Sequence, residues 1–250
     1  MTKKVLYRLP KIVDSNGRKI VINKLRKYVV DDEEDFQYER GKVSSAEIKK
    51  GGQIKKEKDN FLAIPYDLYD VFGKLKRKAQ IITDKDAGKI ISKTLITKNS
   101  KVLESGTGSG FLTARLKLTG ATVVSVENNQ DHYNVAKKNL ETLKLDVKLH
   151  NENINDFKTK STFTHIILDL PKPWMCIDSM TEKLETGGFL IVYSTNITQA
   201  KNFFSHAKDY LHIETVELME RSWKITPTYA RPKSQSAPHT GFLSFYRKSL

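Results

Sequence analysis

A short β-branched stretch that runs through three alternating glycines into a helix constrains this chain more than any other feature. In Lys101-Val-Leu-Glu-Ser-Gly106-Thr-Gly108-Ser-Gly110-Phe-Leu-Thr-Ala-Arg-Leu, the opening residues have the apolar look of a strand entering a core. From Ser109 onward the pattern is that of a starting helix. Glycine at the turn lets the backbone take positive φ and lets a ligand approach the amides closely. The spacing alone also serves dinucleotide enzymes and plain tight turns, so its neighbours have to decide.

Two neighbours are acidic. Glu127 ends the next strand-like run, Thr122-Val-Val-Ser-Val-Glu, about twenty residues beyond the glycines, where a ribose diol sits in folds of this kind. Glu104 stands at the carboxyl edge of the first strand. No Gly-Lys-Ser/Thr follows, which argues against a triphosphate-cradling loop. A glutamate before the glycines with no phosphate pattern fits S-adenosylmethionine better than a dinucleotide, since a carboxylate can hold that molecule's ammonium.

From residue 101 the chain alternates strand and helix, with strand patterns at 147–151, 163–169, 189–195, 212–220 and 241–247 after the first two. Seven strands with a closing hairpin resemble the class I methyltransferase sheet, a Rossmann-like α/β fold. Residues 1–65 differ. Short apolar runs broken by Asn16-Gly17, Gly41 and Gly51-Gly52 suggest a small β-rich domain, and Pro65 closes its last strand. Residues 66–250 are then the catalytic domain, opening with an expected helix over 66–78 and another over 84–95.

The formal net charge is +14, and residues 1–78 hold 20 Lys and Arg against 12 Asp and Glu. An acidic polymer is the usual partner of such a surface. A single cysteine, Cys176, suits a reducing, cytoplasmic setting, and no apolar run is long enough for a membrane span. His-Glu-x-x-His and Cys-x-x-Cys spacings are absent, so neither a metal nor a membrane is expected.

A second constellation follows the fourth strand. Thr164-His-Ile-Ile-Leu-Asp169 runs into Leu170-Pro-Lys-Pro-Trp174. Ligands in open α/β sheets bind at the carboxyl strand ends near the switch in strand order, so Asp169 is expected to face the glycine loop's crevice. The prolines remove backbone donors and leave an acceptor-rich lip beside an aromatic, which suits a base with an exocyclic amine.

At this point the chain resembles the tRNA (adenine-N1)-methyltransferases acting on T-loop position 58, of the homo-oligomeric archaeal and bacterial type. The matching stretches are Arg77-Lys-Ala-Gln-Ile-Ile-Thr-Asp-Lys-Asp-Ala-Gly88, residues 102–110, Leu168-Asp-Leu-Pro-Lys-Pro-Trp174, Val192-Tyr193 with Gln199, Glu220-Arg-Ser-Trp223, Arg231-Pro232 and His239-Thr-Gly-Phe-Leu243. The resemblance implies that S-adenosylmethionine is held by Gln80, Ile81, Glu104, Ser105, Gly106, Thr107, Gly108, Ser109, Gly110, Glu127, Asn128, Asn153, Ile154 and Asp169. Asp169 would be the catalytic carboxylate, with Tyr193 bordering the target base. It also implies a homotetramer, a dimer of dimers, and leaves position 57 open as a second target. Read from the residues themselves, Pro171 and Trp174 belong to the lip that meets the tRNA base or, for Trp174, to the core; Arg221 and Arg231 suit RNA phosphate or a brace of the sheet or a subunit interface; and His239 suits a structural place in the final hairpin ahead of a phosphate contact. Three positions depart from the family's pattern: Thr83-Asp84 stands for Tyr-Pro, Asn153 for an acidic residue, and Lys172 places a cation between the prolines.

Two other readings stay open: methyl transfer to an exocyclic amine of the N6-adenine type, and a non-catalytic tRNA-binding subunit. The presence of Gly106, Gly108, Gly110, Glu127 and Asp169 together favours an active chain.

Overall fold

The computed structural model describes residues 2–226, 229–234 and 239–249. It divides into two compact units, Met1–Lys74 with Pro227–Tyr229, and Leu75–Thr226 with Ala230–Leu250.

The smaller unit is built on four antiparallel strands, β1 (Lys3–Arg8), β2 (Arg26–Asp31), β3 (Gly52–Lys55) and β4 (Asn60–Pro65), in the order β2-β1-β4-β3. Alternate residues feed one core, in which Leu6, Val43, Ile54, Phe61 and Ala63 pack with Ile48 of α1 (Ser45–Lys50). A side hairpin, Lys11–Ser15 with Arg18–Asn23, turns at Asn16 and Gly17. Both turn residues have positive φ, 54° and 76°, as a type I′ turn demands.

The helix expected over 66–78 shortens to α2 (Leu68–Phe72). A capping box of Asp67 and Asp70 starts it, and Gly73 follows its last residue. Asp70 pairs with Lys27 of β2, and the Lys27 ammonium lies over the Tyr69 ring. These contacts tie α2 to the first unit, so the division falls at 74/75 rather than at 65/66. Beyond it, Asn139 grips the backbone of Lys76, its carbonyl oxygen accepting from the amide at 3.1 Å and its amide donating to the carbonyl at 2.8 Å. Those tertiary bonds take the groups that another helical turn would need.

The larger unit holds β5 (Lys101–Ser105), β6 (Thr122–Glu127), β7 (Lys148–Asn151), β8 (Phe163–Leu168), β9 (Leu184–Ser194), β10 (Tyr210–Glu217) and β11 (Phe242–Lys248). They form one seven-stranded sheet in the order β7-β6-β5-β8-β9-β11-β10. The first five are parallel, and β11 runs antiparallel to both β9 and β10. This is the class I methyltransferase architecture that the sequence pattern implies. The helices are α3 (Asp84–Thr94), α4 (Phe111–Leu118), α5 (Gln130–Thr142), α6 (Ile177–Lys183) and α7 (Ile197–His206).

Strand residues alternate between two apolar layers. Leu103, Val126, Ile166, Leu168, Leu190 and Val192 enter one, while Val102, Val123, Ile167 and Ile191 enter the other. Each such buried side chain contributes about 1.5–3 kcal/mol, and a sheet covered on both faces explains the near-continuous apolar strands. No helix is long and apolar enough to cross a membrane among the described residues.

Candidate active site

The strand order reverses between β5 and β8, and their carboxyl ends open there into a cleft of about 980 Å³. Ser105, Gly106 and Gly108, Val126 to Asn129, Asp169 to Lys172, Trp174, Tyr193 and Gln199 all line it. Gln80 and Ile81, and Asn153 and Ile154, line it as well. The glycine loop and the lip at Asp169 therefore share one cavity.

Their closeness is fixed by backbone. Leu168 lies beside Ser105 in the parallel register, and the Asp169 amide donates to the Ser105 carbonyl at 2.9 Å. Gly106, at φ +94°, packs so closely that a Cβ there would collide with the Asp169 carbonyl. Only glycine satisfies both the dihedral and the contact.

The loop's amides turn toward Glu127. Gly108 donates to one carboxylate oxygen at 2.8 Å and Asn129 to the other at 2.9 Å. Glu127 is thereby locked with a lone pair free on each oxygen, the geometry a vicinal diol requires. A loop whose glycines leave room for a ligand, faced by a locked carboxylate, fits the nucleoside half of S-adenosylmethionine. Ser109, not in the cleft wall, accepts from the amides of Lys78 and Ala79 at 3.0 and 3.3 Å and so holds Ala79 to Ile81 against the cleft. Thr107 is tied to Ser125 at 2.6 Å, and Gly110 closes the turn back to the Thr107 carbonyl.

Glu104 stands apart from the large cleft. It is 1% exposed and lines a small adjoining pocket with Gln80, Ile81, Gly106 and Asp169. Its Oε2 accepts from the hydroxyls of Thr113 and Ser125 at 2.5 and 2.7 Å, and burial pushes its pKa up to about 7. Two hydroxyls on one oxygen of this buried carboxylate brace the loop.

Asp169 is only partly shielded and lines the cleft, and among the described residues no donor reaches its carboxylate. Loss of solvation, with the Glu127 charge second, raises its pKa to about 7. Burial and a like charge at a cleft are the marks of a chemically used group.

The lip also differs from a free row of acceptors, because Gln199 already donates to the carbonyls of Leu170 and Pro171. Pro171 itself is exposed on the rim. Trp174 is half-buried against the core and stacks on His206 at 6.1 Å and 23°. Cys176 is buried, its thiol pushed up to about 11 by burial, as suits an inert side chain.

Tyr193 borders the cleft but is only 3% exposed. Its hydroxyl donates to the Thr240 carbonyl at 2.6 Å, and burial raises it to about 12. Thr240 in turn donates to buried Asp86 and accepts from Lys85. Thr83, standing where the family has tyrosine, donates to the same aspartate at 2.8 Å. The Asn153 carbonyl oxygen accepts from the Asn155 amide at 2.9 Å, which shapes the rim.

Arg221, Arg231 and His239 lie outside the cleft wall. The Arg221 guanidinium rests over Trp223, and Arg231 donates to Ser234 at 3.2 Å. His239 makes the internal contacts that suit a histidine opening the final hairpin. Its ring nitrogens meet Glu217 at 2.5 Å and the Thr195 carbonyl at 3.0 Å, two acceptors that favour the cationic ring and raise its pKa. Asn139, Gln199, Asn129 and His132 were not read as site residues. Only Gln199 carried a sequence signal, its place in the matched stretches.

The family model described as "tRNA methyltransferase complex GCD14 subunit" matches residues 67–229. The tRNA (adenine(57)-N(1)/adenine(58)-N(1))-methyltransferase TrmI of Methanocaldococcus jannaschii is 27% identical over 94% of this chain and 93% of its own length. The tRNA (adenine(58)-N(1))-methyltransferase TrmI of Thermus thermophilus is 29% identical over 70% of this chain and 71% of its own. Among solved structures, the tRNA (m1A58) methyltransferase TrmI of Aquifex aeolicus superposes with a TM-score of 0.77 at 24% identity, covering 99% of this chain and 97% of that one. A SAM-dependent O-methyltransferase of Thermotoga maritima gives 0.79 at 20% identity, over 100% and 93%. At these identities the structural likenesses speak for the fold.

Proposed function

The chain belongs to the family of the tRNA methyltransferase complex GCD14 subunit, and from that premise we propose that it methylates N1 of adenine in the T-loop of tRNA, at position 58, alone or together with 57. The methyl group comes from S-adenosylmethionine, whose sulfonium is an activated donor. The observation that carries this reading is the placement of Asp169 against Gly106 at the floor of one cleft.

Adenine N1 has a free lone pair, so attack needs alignment more than deprotonation. As the N1–CH3 bond forms and the S–CH3 bond breaks, positive charge passes to the adenine and spreads to its exocyclic amine. Ionised Asp169 accepts from that amine, orients the base, and favours the transition state over the neutral ground state. Its raised pKa does not forbid ionisation, because a cation arriving in the cleft favours the carboxylate. Gly106 and Gly108 leave room for the donor, and Glu127 holds its ribose. Gln80, Ile81, Asn128, Asn153 and Ile154 enclose it, while Glu104, Thr107, Ser109 and Gly110 frame the loop.

The target adenosine leaves its stack to enter the cleft, where Trp174, Tyr193 and Pro171 form the wall it meets. Arg221 and Arg231 lie on exposed chain that suits RNA phosphate. Direct RNA binding by the basic surface, a homotetramer of two dimers and a cytoplasmic setting belong to the same reading. It rests on the +14 charge, the family resemblance and the single cysteine.

Incubation of unmodified tRNA with the protein and methyl-labelled cofactor, followed by nucleoside mass spectrometry, tests it. The expected product is N1-methyladenosine, cationic at neutral pH, at 58, alone or together with 57. Label in neutral N6-methyladenosine, or none, overturns the reading.

A further inference from the structure

The lip that carries Asp169 has an anchoring problem created by its own sequence. In Leu170-Pro171-Lys172-Pro173 two of four residues have no amide hydrogen, so the backbone has few donors with which to fasten itself. On its strand side Asp169 is tied by its amide to Ser105 and by contact with Gly106. Among the described residues none donates a hydrogen bond to its carboxylate. The direction of that carboxylate therefore depends on whatever holds the carbonyls that follow it.

Gln199 holds them. It is 8% exposed on α7. Its Nε2 donates to the Leu170 carbonyl at 2.7 Å and to the Pro171 carbonyl at 3.1 Å. Its Oε1 accepts from the Thr195 amide at 2.9 Å and the Thr195 hydroxyl at 3.3 Å. The Gln199 amide is itself capped by Asn196 at 2.9 Å. One side chain thus bolts the lip to the end of β9, next to Tyr193. The chemistry selects an amide: two carbonyls demand donors and Thr195 demands an acceptor, and only a group with both, held in one plane, satisfies the set. Glutamate, equal in shape, would set an oxygen against two carbonyl oxygens.

We propose that Gln199 is the positioning residue of the methyl transfer, fixing the Asp169 carboxylate at the angle from which it meets the adenine amine. The inference rests on the role given to Asp169 above. Gln199 touches neither reactant in that role, so its removal alters how often the carboxylate is aligned and leaves the donor's binding at Gly106 and Glu127 intact. Misplacement of a reacting group by about 1 Å costs on the order of 10²-fold in rate.

The test compares full-length Gln199→Glu, Gln199→Met, Asp169→Asn and the Gln199→Glu/Asp169→Asn double variant. Cofactor affinity is measured by calorimetry, melting by circular dichroism, and single-turnover methylation on saturating tRNA. Expected is a loss of about 10²-fold in the single-turnover rate for Gln199→Glu and Gln199→Met, with cofactor affinity unchanged. The double variant is expected to be no slower than Asp169→Asn alone, because an aligning group has nothing left to align. Wild-type rate in a folded Gln199 variant overturns the proposal, and so does a double variant whose losses multiply. If Gln199→Glu fails to fold, Gln199→Met decides on the same criteria. Full activity in Asp169→Asn would instead bring down the role of Asp169, and this proposal with it.

Discussion

Gly106 and Asp169 are in backbone contact: the Asp169 carbonyl fills the space a side chain at 106 would need, and the two residues sit at the ends of adjacent strands. The loop that receives the methyl donor and the carboxylate that meets the acceptor are therefore parts of one packed junction.

Gly106→Ala puts a methyl group into that junction and asks a non-glycine residue to hold φ +94°. The loop and the lip must then separate. Calorimetry is expected to show S-adenosylmethionine binding abolished. Unchanged affinity would mean that the loop is not where the donor sits.

Asp169→Asn keeps the shape of the site and removes the charge. Methylation is expected to fall by about 10²–10³-fold, the loss seen when a transition-state partner is removed, with cofactor affinity preserved. In the wild type, protonation of a group at about 7 disables the acceptor, so kcat/KM should rise with pH through a limb near that value. The limb should vanish from the residual activity of Asp169→Asn. A profile of the same shape in both proteins would assign the limb elsewhere.

Glu104 gives a stability prediction. Its pKa rises from 4.5 to about 7 on folding, so the folded state binds the proton more tightly than the unfolded chain. The resulting stability is full below about 4.5 and is lost as pH rises through about 7. Glu104→Gln carries no such proton, and its melting temperature is expected to decline less between pH 5 and 8 than that of the wild type. Parallel melting curves across that range would count against the buried carboxyl.

Much of this was legible in the sequence, for local reasons. The glycine turn, the seven strands and the position of Asp169 follow from strand periodicity, glycine placement and the rule for strand ends, each a matter of neighbouring residues. What was misread depended on bonds between distant residues. The helix over 66–78 has good helical spacing, yet Asn139 takes the Lys76 backbone. The lip reads as free acceptors until Gln199 is brought to it across 28 or 29 positions. Side chains that bind remote backbone leave no periodic trace.

Asn139 tests this point directly. Asn139→Leu keeps the volume but strands the Lys76 amide and carbonyl and frees the Ser109 carbonyl. Buried polar groups left unpaired cost about 1–3 kcal/mol each, so a loss of about 2–4 kcal/mol in urea unfolding is expected. A change within measurement error would show that the clamp is replaceable by water.

The placement of β11 has a consequence for how the protein is made. It lies between β9 and β10 yet is encoded after both, and β10 pairs with no other strand of the sheet. Until residues 240–248 have been added, β10 has no neighbour to join and Tyr193 lacks the Thr240 carbonyl that fastens it. The strands of the donor's half are all encoded ahead of those residues, so the acceptor's wall is completed after the donor's.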